Sequence, residues 1–145
     1  MADRTQRSIT VDAPSDRVMA VIADLESYPE WVAAARSVEV VDTFPDGHAR
    51  TAQFVLDAGV VKDTYLLSYT WRPDGKAVSW ELLRGELQKA QDGSYELIDQ
   101  PDGTTQVVYE LTVDLTMPMI GMFKRKAEKV ITDTALKELK KRVEG

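Results

Sequence analysis

The chain contains no cysteine and a single histidine among its 145 residues. The first absence excludes disulfide frameworks and thiolate metal sites. The second leaves a Ser-His-Asp relay or a histidine-based metal site with only His48, which follows the Asp46-Gly47 turn signal where exposure is expected. Basic excess is missing too: 18 Lys and Arg against 24 Asp and Glu give a formal net charge of -6, the wrong sign for a phosphate-backbone binder. No apolar run approaches the ~18 residues of a membrane span. The first twelve residues include Asp3, Arg4, Gln6 and Arg7, a composition unlike a signal peptide. A cytoplasmic protein is therefore expected. Linkers, internal repeats and low-complexity tracts are lacking as well, so residues 1–145 are read as one domain, large enough to bury roughly 68 to 70% of its unfolded surface.

Turn signals are plentiful by contrast. Asp46-Gly47, Asp74-Gly75, Asp92-Gly93 and Asp102-Gly103 separate segments of alternating apolar and polar residues, and each reads as a hairpin turn. Pro45, Pro73 and Pro101 accompany three of them, and Asp57-Ala58-Gly59 makes a fifth break. Five turns imply six antiparallel strands, placed at Val38–Thr43, His48–Leu56, Lys62–Trp71, Ala77–Gln88, Ser94–Asp99 and Thr105–Leu115. Ser8–Val11 alternates like a seventh. Helical spacing of Val18, Val21, Ile22 and Leu25 marks a short helix over Ser15–Asp24, and Ser27-Tyr28-Pro29-Glu30-Trp31 starts a second. From Ile120 to Val143 nothing interrupts a helix about 35 Å long at 1.5 Å per residue. Ile120, Phe123, Ala127, Val130, Ile131 and Thr134 form its inner stripe, while Leu136, Leu139 and Val143 drift to another side. The expected fold is α+β: a curved seven-stranded antiparallel sheet around a long C-terminal helix, with two short helices after the first strand.

This order resembles the helix-grip superfamily, which includes START lipid-transfer domains, pollen-allergen-like proteins, coenzyme Q-binding proteins and the bacterial polyketide cyclase/dehydrase-like branch often called SRPBCC. The residues that carry the resemblance to the bacterial branch are Ile9-Thr10-Val11-Asp12-Ala13-Pro14, the Val18 to Asp24 helix, Asp24-Leu25-Glu26-Ser27-Tyr28-Pro29-Glu30-Trp31 and the Gly121 to Val143 helix, so that it spans essentially the whole chain. It implies a cavity between sheet and helix. The superfamily hosts binding, transfer and catalysis on one scaffold, so the resemblance speaks to fold more than to activity.

Strand parity names the side chains facing that interior. Phe54, Tyr65, Tyr69, Trp71, Trp80, Tyr95 and Tyr109 fall on the inner face, and Phe123 faces them from the helix. Such large residues either fill the core or line a pocket. The choice of Tyr and Trp over Leu and Phe favours a pocket, because each brings a polar end that needs a partner when buried. Trp31 is either a rim or a plug between helix and sheet. Met117-Pro118-Met119-Ile120-Gly121-Met122-Phe123 is either a deformable lid, with Lys124-Arg125-Lys126 touching an anionic membrane during ligand exchange, or ordinary packing at a helix start. Arg84 continues the inward parity of Trp80 and Leu82 unless a bulge at Gly85 turns it out.

The candidate ligand-binding set is thus Trp31, Phe54, Tyr65, Tyr69, Trp71, Trp80, Arg84, Tyr95, Tyr109, Met119 and Phe123, with no metal ligand and no cofactor called for. Three functions fit: a binder or carrier of a small hydrophobic molecule (lipid, polyketide or quinone-like), a polyketide cyclase or dehydratase using the same cavity, and a protein-interaction module with a filled core. Glu81 and Glu110 fall with the outward, polar sets, and no convergent acid-base pair is visible. The binder is the reading that asks least of these residues.

Overall fold

A computed structural model of the chain describes residues 5–57, 62–116 and 121–145, the side chains of 121–127 excepted. Seven strands, β1 (Thr5–Val11), β2 (Ala35–Thr43), β3 (Ala49–Asp57), β4 (Lys62–Trp71), β5 (Ala77–Gly85), β6 (Gln88–Asp99) and β7 (Thr105–Leu115), form one antiparallel sheet in the order β1-β7-β6-β5-β4-β3-β2. Between β1 and β2 the chain crosses from one sheet edge to the other through α1 (Ser15–Ala23) and a 3-10 helix (Leu25–Glu30). The long helix α2 (Gly121–Glu144) lies against β1, β7 and α1.

Three hairpins form as their Asp-Gly pairs predict. Gly47, Gly75 and Gly103 are the positive-φ residues among those described, and in each turn the aspartate carboxylate accepts the backbone N–H two residues on, from His48, Lys76 and Thr104 at 2.9 to 3.0 Å. Asp92-Gly93 is different. It lies inside β6, where Gly93 pairs with Trp80 on one side and Leu111 on the other. The residue is glycine for space: a Cβ built there would sit 2.3 Å from Trp80 Cζ2. The true β5–β6 turn falls at Glu86-Leu87, and the buried Asp63 carboxylate of β4 holds it by accepting the N–H groups of Glu86 (2.9 Å), Leu87 (3.0 Å) and Gln88 (3.1 Å). β5 is therefore shorter and β6 longer than expected. The break at Asp57-Ala58-Gly59 lies, after Asp57, outside the described residues.

Irregular pairing bends the sheet. The register shifts between Leu66 and Leu67, where β5 inserts an extra residue, and again at Gln88/Ala90 and along β2. On the concave side a single apolar cluster runs from Val11, Val18 and Ile22 through Ala52, Leu67, Val78 and Leu97 to Val107 and Leu111.

α2 uses two faces, as the drift of Leu136, Leu139 and Val143 away from the inner stripe implies, but the deeper burial is on the face that drifts. Its fully buried row is Glu128, Thr132, Leu136, Leu139 and Val143, so the leucines and valine expected to pack elsewhere are in the core, whereas Val130 is 55% exposed. The reason is polar anchoring that hydrophobicity cannot signal: Glu128 accepts the Val113 N–H at 2.7 Å and the Thr5 hydroxyl at 3.2 Å. Val113 lies beyond the last β1 partner of β7, Leu111, so its backbone needs another acceptor.

Candidate functional site

Between the concave sheet and the second face of α2 lies a cavity of about 360 Å³. Cross-strand register assembles its aromatic wall. Phe54 of β3 pairs with Tyr65 of β4, Tyr69 of β4 with Trp80 of β5, and Tyr95 of β6 with Tyr109 of β7, so alternate inward positions on five strands meet in one volume. Ring centroids lie 5.3 Å apart for Phe54 and Tyr65, 5.9 Å for Tyr69 and Trp80, and 4.5 Å for Tyr95 and Tyr109. The opposite wall is Val130, Ile131, Thr134, Ala135 and Glu138 of α2. Exposure of Val130 and Thr134 places the mouth beside the helix.

Trp31, half-buried, lines the cavity edge-on to Tyr28 with centroids 5.0 Å apart. Tyr28, singled out with its segment but not as a site residue, lines it too and donates its hydroxyl to the Ile22 carbonyl. Glu138 ties the following segment to α2 by accepting the Ala33 N–H at 3.0 Å.

Seven of the eleven candidate residues line the cavity: Trp31, Phe54, Tyr65, Tyr69, Trp80, Tyr95 and Tyr109. Trp71 does not. Its indole donates to the Ala49 carbonyl at 2.7 Å, and its ring stacks between Tyr69 and half-exposed His48, whose Nδ1 lies 2.9 Å from Asp46. Arg84 is on the surface, because Arg84 pairs with Leu66 and Leu82 with Leu67, leaving Leu83 as the bulged residue that reverses parity. Met119 and the Phe123 side chain lie outside the described residues, as do residues 117–120 of the expected lid and the side chains of Lys124, Arg125 and Lys126.

The cavity's polar groups have a definite chemistry. The chain's five tyrosines are Tyr28, Tyr65, Tyr69, Tyr95 and Tyr109, and all of them line this one space. Burial pushes every one of these phenols above the ordinary tyrosine range, with neighbouring tyrosines adding to the effect on Tyr28, Tyr65, Tyr69 and Tyr95. They are neutral hydroxyls at physiological pH. Those of Tyr65, Tyr69, Tyr95 and Tyr109 make no hydrogen bond among the described residues, yet the only sealed side-chain nitrogen or oxygen there without a hydrogen bond is Arg7 Nε, which is ion-paired with Asp133 at 3.4 Å. The four hydroxyls therefore open onto the cavity. Gln91 joins them, a residue that sequence reasoning missed because Asp92-Gly93 was read as a turn; it accepts the Trp80 indole N–H at 2.9 Å. Among the described residues no group of three or more His, Asp or Glu side chains is arranged to hold a metal ion.

A bent antiparallel sheet gripping one helix around an aromatic cavity defines a START-like, helix-grip protein. The chain belongs to the family described as polyketide cyclase / dehydrase and lipid transport, whose model matches residues 2–144. Solved structures agree on the fold. A START superfamily protein from Mycobacterium smegmatis superposes with a TM-score of 0.91 at 16% identity over 97% of each chain. The Zhui aromatase/cyclase from Streptomyces sp. R1128 gives 0.84 at 15% identity over 99% of this chain and 94% of its own. A protein from Thermus thermophilus gives 0.80 at 23% identity over 97% of both. No curated protein matches the chain. No helix among the described residues is long and apolar enough to cross a membrane.

Proposed function

We propose that this protein binds or carries a small, mainly apolar molecule of lipid, polyketide or quinone-like kind in the cavity between the sheet and α2. The observation that carries the reading is the convergence of all five tyrosines on about 360 Å³ of space, four of them with hydroxyls left to a guest. This volume is within the ~300–1,000 Å³ range of small-molecule sites. Its walls are mainly ring and aliphatic surface with a mouth to solvent, so a guest with an apolar body and one or two oxygens gains by displacing water from the rings while pairing with the hydroxyls. Native mass spectrometry of the purified protein checks this: a bound small molecule is expected, and a bare mass together with failure to take up any apolar probe overturns the reading.

A second reading uses the same cavity for cyclisation or dehydration of a polyketide-like substrate, and the family description supports it. Neutral phenols held above their usual pKa can polarise a carbonyl by donation, but they are poor general bases. Unchanged turnover of a candidate polyketide by Tyr69→Phe and Tyr109→Phe would sink this reading and leave the first intact.

A further inference from the structure

A polar chain runs from the β5–β6 turn to the cavity wall at Gln91 and Trp80 and fixes which way one amide points. Asp63 Oδ2 accepts from Gln88 Nε2 at 3.1 Å, Gln88 Oε1 accepts from Gln91 Nε2, and Gln91 Oε1 accepts from Trp80 Nε1 at 2.9 Å. All four side chains are buried. The two ends of the chain have no freedom: Asp63 Oδ2 already accepts the Gln88 backbone N–H, and an indole N–H only donates. From the Asp63 end, Gln88 must turn its NH2 to the carboxylate and its oxygen to Gln91. From the Trp80 end, Gln91 must turn its oxygen to the indole. Both constraints give Gln91 the same orientation, and Asp63 cannot rotate away because it also holds three backbone N–H groups of the β5–β6 turn.

Gln91 therefore has one N–H committed to Gln88 and a second without a partner among the described residues, on a side chain only 9% exposed that lines the cavity. We infer that Gln91 is a specificity-determining residue, a fixed donor selecting ligands with an acceptor oxygen, such as a ketone or quinone carbonyl, placed beside the Trp80 ring. Tyrosine hydroxyls can rotate to donate or accept, so they tolerate either kind of ligand polarity. The Gln91 amide cannot, and a guest lacking the oxygen leaves a buried donor unpaired. The inference rests on the cavity being a ligand site.

The test uses two aromatic probes of nearly equal shape, 2-acetonaphthone and 2-isopropenylnaphthalene, which differ by C=O against C=CH2. Titration calorimetry on the full chain is expected to show the ketone binding about tenfold more tightly, the scale of one unsatisfied buried donor. In Gln91→Met, the preference should shrink to within about twofold while affinity for the alkene is kept or improved, since the free amide donor is gone and the thioether sulfur still accepts weakly from the Trp80 indole. Gln91→Leu combined with Trp80→Phe, which leaves no indole N–H unpaired, serves if the methionine variant does not fold, and circular dichroism confirms the fold of whichever is used. A purely structural role for Gln91 would weaken both probes alike and leave their ratio unchanged. Equal binding of both probes by the unmodified chain, or a preference that survives in the variants, overturns the Gln91 assignment but not the cavity reading. Failure of both probes to bind overturns the cavity reading and the inference with it.

Discussion

Gly93 and Trp80 occupy each other's space. The indole lies where a Gly93 side chain would be, with the nearest ring atoms 2.3 to 2.5 Å from a built Cβ, and the same ring is fastened to Gln91. Gly93→Ala must therefore displace Trp80, break its hydrogen bond and distort the cavity wall. A loss of about 1–3 kcal/mol is expected, typical of overpacking a well-filled interior. Urea denaturation measures it, and a red-shifted Trp emission would report the indole leaving its site. An alanine variant as stable as the parent would mean that β6 is not pressed against Trp80 as described. The same pair shows why part of the site was illegible. A strand parity argument finds Trp80, because alternation is local. It cannot find Gln91, because an Asp-Gly pair reads as a turn when the ring that demands the glycine comes from another strand.

At the scale of elements, the two faces of α2 should separate stability from access. Leu139 is fully buried on the core face, and Leu139→Ala is expected to cost about 2–5 kcal/mol. Val130, on the face toward the cavity, is mostly exposed at the mouth, so Val130→Ser should change stability by no more than about 0.5 kcal/mol. Paired denaturation curves settle the matter, and a Val130→Ser loss as large as that of Leu139→Ala would reverse the assignment of faces. The helix itself was legible from uninterrupted spacing, but its rotation was not: Val130, Ile131 and Thr134, the described part of the apolar stripe, border the cavity, and the buried row contains Glu128 and Thr132. Turns followed a similar pattern. The three Asp-Gly pairs accompanied by proline are turns with positive-φ glycines, and the pair without one lies in a strand. The turn that replaces it is held by Asp63, a residue more than twenty positions away in the sequence. Contacts of that range leave no local signature. Arg84 teaches the same lesson, since one bulged residue, Leu83, was enough to turn it outward.

For the molecule as a whole, placing every tyrosine in one cavity ties the titration of the phenols to the integrity of the fold. Each phenol has its pKa raised in the folded state by burial, whereas in the unfolded chain each titrates near its ordinary value of about 10. The unfolded state thus releases protons first as pH rises, and stability falls wherever it binds fewer protons than the native state. The contribution of these groups is fully present below pH ~10 and is lost as pH climbs toward the raised native values, at up to about 1.4 kcal/mol per pH unit for each tyrosine involved. Several groups acting together make the loss steep. Absorbance at the tyrosinate band should therefore stay flat through the ordinary tyrosine range and then rise for all five residues in one step, coincident with loss of the circular dichroism signal. A bound apolar guest that stabilises the native state should move that step to higher pH by mass action. A gradual rise centred near pH 10 with the circular dichroism unchanged would show phenols in free contact with solvent, and neither a buried tyrosine cluster nor an apolar cavity could then be maintained.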